Sequence, residues 1–157
     1  FLGFDNGFKN ILFWKQTIII TVAAIIFLLG PAIALKYVQF DFKYQLAILV
    51  WALNNLLLVC TSEELIFRRL IQKDFINILT KKAVPFANTI GIFIAAILFG
   101  LAHFKGGSIY ITLSSLAGLF YGYAYYKTKS IEGSMLVHFG LNIFHILFLT
   151  YPYTLKV

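Results

Sequence analysis

The stretch Trp51-Ala52-Leu53-Asn54-Asn55-Leu56-Leu57-Leu58-Val59-Cys60-Thr61-Ser62-Glu63-Glu64-Leu65-Ile66-Phe67-Arg68-Arg69 decides the fold. It begins as an apolar run and ends in two adjacent acids and two adjacent arginines. Extended back to Tyr44, the run is long enough to cross about 30 Å of hydrocarbon at about 1.5 Å per residue. In lipid every backbone polar group must be satisfied within its own segment, so such a run is a helix rather than an open strand. The spacing predicts a helix over Tyr44–Ser62 that runs on through Glu63–Ile71.

Four further apolar stretches flank it: Thr17–Leu35, Val84–His103, Ile109–Tyr126 and Met135–Thr150. The expectation is an all-α, polytopic transmembrane helical bundle of about five spans. It forms a single domain over 1–157, with a motif core at about 54–145. Composition agrees: the chain is 61% hydrophobic and 12% charged, where soluble domains carry roughly 25% charged residues. The lipid bilayer must be the solvent for much of this surface. Gly30-Pro31 is expected to kink the first span, and Gly106-Gly107 to end the third. Ser114, Gly118 and Gly122 recur at one-turn spacing on the fourth, a face that admits a closely packed helix.

The net charge of +7 is not a nucleic-acid footprint, because Lys and Arg lie between the apolar runs and form no aromatic-interleaved stripe. No nucleic-acid partner is expected. Nine basic residues fall on the side of the N-terminal segment, the Arg68–Lys82 loop and Lys127/Lys129. Four, Lys36, Lys43, Lys105 and Lys156, fall on the other. The richer side is expected to be cytoplasmic, which puts the N-terminus inside an integral protein of the plasma (inner) membrane. The single Cys60 excludes an internal disulfide framework and a multi-cysteine metal site.

Scarce polar residues mark the chemistry. Glu63 and Glu64 end one apolar run, and His103, His138, Asn142 and His145 lie in or at the ends of others. Ionisable groups inside a span are costly and usually face the bundle interior. Glu64 and Arg68 stand at i, i+4, with Glu N-terminal, which favours an ion pair. Glu63 is rotated by about 100° and left out of that pair. An unpaired carboxylate at low dielectric suits general-base work. His138, Asn142 and His145 share one stripe of the fifth span. The same residues also fit a quieter reading: an interfacial helix end with snorkelling arginines, and an interhelical hydrogen-bond network.

Taken together, Glu63-Glu64-x-x-x-Arg68, Phe99-x-x-x-His103 and His138-x-x-x-Asn142, in that order on successive helices, resemble the motifs of the CPBP family of CAAX-protease and bacteriocin-processing (Abi) membrane proteins. Gly118-Leu119-Phe120-Tyr121-Gly122 is similar to that family's glycine-bearing helix. The resemblance implies an intramembrane endopeptidase acting on peptide or protein substrates, lipid-modified ones included. By the same resemblance, Glu63 activates a water that His103 helps to bind. His138 and Asn142 stabilise the oxyanion, and Glu64 and Arg68 orient the site. His145 lies outside the motif and is an added candidate.

Two alternatives stand beside this reading. Glu63, His103 and His138 are an adequate zinc ligand set. The chain has no H-E-x-x-H, however, and the amide of Asn142 is a poor zinc ligand, so a cofactor-free enzyme is the favoured expectation and zinc the variant. The other alternative is a non-catalytic bacteriocin immunity or partner-binding membrane protein, which has no need of a free Glu63.

Overall fold

The computed structural model describes residues 10–151. Lys9 and Lys156 of the charge count, and the two ends of the expected 1–157 domain, lie outside the described residues. The helices are α1 (Ile11–Ala34), α2 (Ala47–Lys81), α3 (Ala87–Ala102), α4 (Gly107–Thr128) and α5 (Ile131–Phe148). The fold is the expected all-α bundle. Helices α1, α2 and α5 are each long and apolar enough to cross a membrane. Helices α3 and α4 pass that test only as a bent pair. By length and composition alone, three helices can cross a membrane, or four if the bent pair is counted as one span, beside the five spans expected.

The difference lies in α3, which has 16 residues and turns sharply at Phe104–Gly106. Gly107 makes that turn with φ 81°, a left-handed conformation that favours glycine. Behind it α4 runs back along α3. A side chain at Gly118 would meet Ala96 Cα at 3.0 Å, and one at Gly122 would meet Ile92 Cγ2 at 3.1 Å. One at Gly100 would run into Ser115 and, at 2.6 Å, the Ile111 carbonyl. These pairings make α3 and α4 an antiparallel hairpin. The small-residue face of α4 serves close packing, as its spacing predicted.

Helix α2 continues ten residues past the expected end, to Lys81. Lys73 and Lys81 thus lie on a helix rather than in a loop, and Arg68, within the expected helix, is wholly buried. Counted from Lys81 and Ala87, Glu63 and His103 are both about 25 Å from the α2–α3 turn. The hairpin tip therefore ends beside the middle of α2.

Helix α1 starts on an Asn10 cap, whose side chain accepts from Leu12 N–H at 2.9 Å. It carries a widened, π-type turn at Ile25–Leu29. That irregularity directly precedes Gly30-Pro31, where the missing proline N–H breaks the regular ladder. Wide turns at Asn55–Cys60 and Leu65–Gln72 also flank Thr61–Glu64 in α2. The apolar core joins Ala24, Leu28 and Val38 to Phe99, Tyr121, Val137 and Leu149. None of Ala47–Asn54 is buried. The N-terminal half of α2 extends past the hairpin tip, and the room left beside it is the cavity described next.

Candidate active site

The cavity has a volume of about 330 Å³. Glu63, His103, His138, Asn142 and His145 all line it. Glu63 faces two of these histidines. One carboxylate oxygen is 4.0 Å from His103 Nε2 and the other is 3.9 Å from His138 Nε2. Both separations are too long for direct hydrogen bonds. The second oxygen, Oε2, is buried and makes no hydrogen bond to the described residues.

Each histidine is aimed by its other nitrogen. His103 Nδ1 lies 2.8 Å from the Phe99 carbonyl, one turn back on α3. A carbonyl only accepts, so Nδ1 carries a proton, and this bond turns Nε2 towards Glu63. The F-x-x-x-H spacing thus acts through the backbone of Phe99. The Phe99 ring also packs edge-on against Phe67 and Tyr121. His138 Nδ1 lies 3.0 Å from Glu64 Oε1, and its ring stacks on Tyr121 with centroids 4.3 Å apart. Its Nε2 is thereby turned to Glu63.

Glu64 is enclosed. Arg68 Nε donates to its Oε2 at 2.9 Å, the Ser134 hydroxyl donates to the same oxygen, and His138 takes the other. Both members of the Glu64–Arg68 pair are fully buried. Unpaired burial of either charge would be costly. Arg68 Nη1 reaches Gln72 Oε1 at 3.3 Å, and Gln72 Nε2 donates to the Gly122 carbonyl at 3.0 Å. Arg68 also lies over the Phe99 ring, 5.6 Å from its centre. The pair expected from i, i+4 spacing is the hub of a chain joining α2, α4 and α5.

Asn142 stands one turn beyond His138. Its amide donates to Asn55 Oδ1 at 3.2 Å, and Cys60 Sγ contacts the same oxygen at 3.3 Å. His145 is directed elsewhere: its Nε2 lies 3.0 Å from the Thr150 carbonyl. The structure thus brings Glu63, His103 and His138 within ion-pair distance, with Asn142 and His145 farther along the same wall. Among the described residues, no group of three or more His, Cys, Asp or Glu has metal-holding geometry.

Ser134, Gln72, Tyr121 and Asn55 were not singled out as site residues from sequence. The first two had a signal. Ser134 precedes His138 by one turn, and Gln72 follows Arg68 by one turn, so both extend stripes already noted. Tyr121 lay within the Gly118–Gly122 stretch already quoted, but an aromatic on an apolar helix is ordinarily packing.

The chain matches the family model for type II CAAX prenyl endopeptidase Rce1-like proteins over residues 45–144. Neither a curated protein nor a solved structure matches it. The matched region contains Glu63, Glu64, Arg68, His103, His138 and Asn142, and stops one residue short of His145. With the apolar helices, it marks an integral membrane protein with protease activity on peptide or protein substrates. The chain belongs to the Rce1-like family of type II CAAX prenyl endopeptidases.

Proposed function

We propose that the chain is a glutamate-dependent intramembrane endopeptidase that hydrolyses a peptide bond near the end of a membrane-associated, prenylated substrate. The observation that carries this reading is the setting of Glu63: a carboxylate on a cavity wall, facing the Nε2 atoms of two histidines at 4.0 and 3.9 Å. In this mechanism a water sits against Glu63 and His103 Nε2. Glu63 takes its proton as the water oxygen bonds to the scissile carbonyl carbon. The carbonyl π electrons move onto oxygen, and the oxyanion is received by His138 Nε2–H and Asn142 Nδ2–H. For His138 to donate there its ring must be doubly protonated, and Glu64 at Nδ1 is the counter-ion for that form. The intermediate collapses as the C–N bond breaks, and Glu63 passes its proton to the departing nitrogen.

Glu64 and Arg68 are positioning residues in this reading, and no metal takes part. The chain is a single catalytic unit of the plasma (inner) membrane with its N-terminus cytoplasmic, a placement supported by the basic residues Lys73, Lys81, Lys82, Lys127 and Lys129 at one end of the bundle.

The test is cleavage of a farnesylated CAAX peptide by purified protein in detergent. Wild type is expected to release the C-terminal tripeptide, and to do so after exhaustive treatment with a strong chelator. Glu63→Gln is expected to bind the peptide without cleaving it. Loss of cleavage on chelation, restored by Zn²⁺, would replace the metal-free mechanism. Binding without cleavage by wild type would favour the immunity or partner-binding role.

A further inference from the structure

Two segments outside the family match contribute Tyr37, Val38 and Tyr151 to the cavity wall. One is the loop from Tyr37 to Lys43 and the other is the strap Leu149–Tyr151. The loop pairs antiparallel with the strap and with the end of α5: Thr150 N–H donates to the Gln39 carbonyl, Asp41 N–H to that of Phe148 and Lys43 N–H to that of Leu147, each at 2.9 Å. Lys43 Nζ adds a bond to the Leu149 carbonyl at 2.7 Å. Val38 and Leu149 pin the pair to the core, with at most 2% of their surface exposed. His145 ties the strap to α5 through the Thr150 carbonyl. The strap thereby brings Tyr151 into the cavity wall. Its ring stands edge-on to Trp51 at 5.5 Å and to His145 at 5.2 Å. Tyr110 lines the same cavity beside His103.

Resting on the proteolytic reading above, we propose that Tyr151, held by His145 and Trp51, forms the end wall of a substrate subsite and limits the size of the side chain the substrate presents there. The chemistry of the wall suits an apolar side chain. Trp51, Tyr110 and Tyr151 offer ring faces and edges, and the charged groups of the site lie towards Glu63. The fixing of the strap by backbone pairing makes the wall rigid, and a rigid wall discriminates by volume. His145, which the catalytic cluster does not use, serves as a positioning residue for this wall.

The test uses two farnesylated CAAX peptides that differ only at the last residue, Ala against Trp, with the whole protein in detergent. Tyr151 is 44% exposed, so its truncation leaves no sealed void in the core. Wild type is expected to prefer the Ala peptide in kcat/KM. Tyr151→Ala should narrow that preference about tenfold by raising kcat/KM for the Trp peptide relative to the Ala peptide. Tyr151→Phe should keep the wild-type ratio, and His145→Ala should shift it part of the way. An unchanged ratio in an active Tyr151→Ala protein, or a parallel fall for both peptides, overturns the subsite and leaves the protease standing. A wild type that cleaves neither peptide overturns the proteolytic reading and this inference with it.

Discussion

Glu63 and Glu64 are neighbours on α2 and occupy opposite settings. Glu64 faces the interior of the bundle, where Arg68, Ser134 and His138 take up both its oxygens. Glu63 faces the cavity, and no described residue hydrogen-bonds its Oε2. A helical step of about 100° separates the two. The difference teaches why one motif needs two identical side chains. A carboxylate saturated with donors is a fixed anchor for its neighbours. One approached by two imidazole nitrogens at about 4 Å keeps an oxygen for a proton.

The sharpest way to break this comparison is to remove each negative charge in turn. Glu63→Gln should lower turnover about a thousandfold, the midrange for a lost general base, and leave the melting temperature unchanged. Glu64→Gln should do the reverse, lowering the melting temperature and keeping measurable turnover. Both variants need the same detergent and the same farnesylated peptide. A reversed pattern would mean that the roles have been assigned to the wrong residues.

Arg68→Ala tests the closed side alone. It leaves Glu64 buried without its ion-pair partner, and should cost about 3 kcal/mol in reversible unfolding. Arg68→Lys should recover only part of that loss, because one ammonium does not reproduce the separate Nε and Nη1 bonds to Glu64 and Gln72. Full recovery would reduce Arg68 to a simple counter-charge.

Gly122→Ala presses on the same chain from α4. The added carbon would stand 2.8 Å from Gln72 Oε1 and 3.2 Å from Arg68 Nη1. An overpacking cost of about 2 kcal/mol is expected, visible as a lower melting temperature. Unchanged stability would show that the Arg68–Gln72 end of the chain is free to move.

The smallest expected effect belongs to the open side. Asn55 accepts from the Asn142 amide at 3.2 Å. Asn55→Ala should lower kcat about tenfold, or about 1.4 kcal/mol in activation energy, with KM nearly unchanged. A change confined to KM would assign Asn142 to substrate binding rather than to the developing oxyanion.

Much of this was legible before any coordinates. The apolar runs, the i, i+4 relation of Glu64 to Arg68, and the one-turn spacings of Phe99 to His103 and His138 to Asn142 are local quantities. Helix geometry fixes them within a segment whatever the segment packs against. The glycine ladder on α4 was read in the same way. Local periodicity also marks what a helix can bury, which is why the rare polar residues stood out against an apolar background.

Where the helices stop, and what they meet, is not a local quantity. The extension of α2 to Lys81 and the sharp turn after His103 set the relative heights of Glu63 and His103, and sequence spacing carries no term for that height. The burial of Arg68, the Ser134 bond to Glu64, the stacking of Tyr121 on His138 and the strap that brings Tyr151 to His145 join residues far apart in the chain. By itself the sequence determined an all-helical membrane chain and the residues available for its chemistry. Only the tertiary structure decided which glutamate was enclosed and which was left facing a cavity, because enclosure depends on donors supplied by other helices.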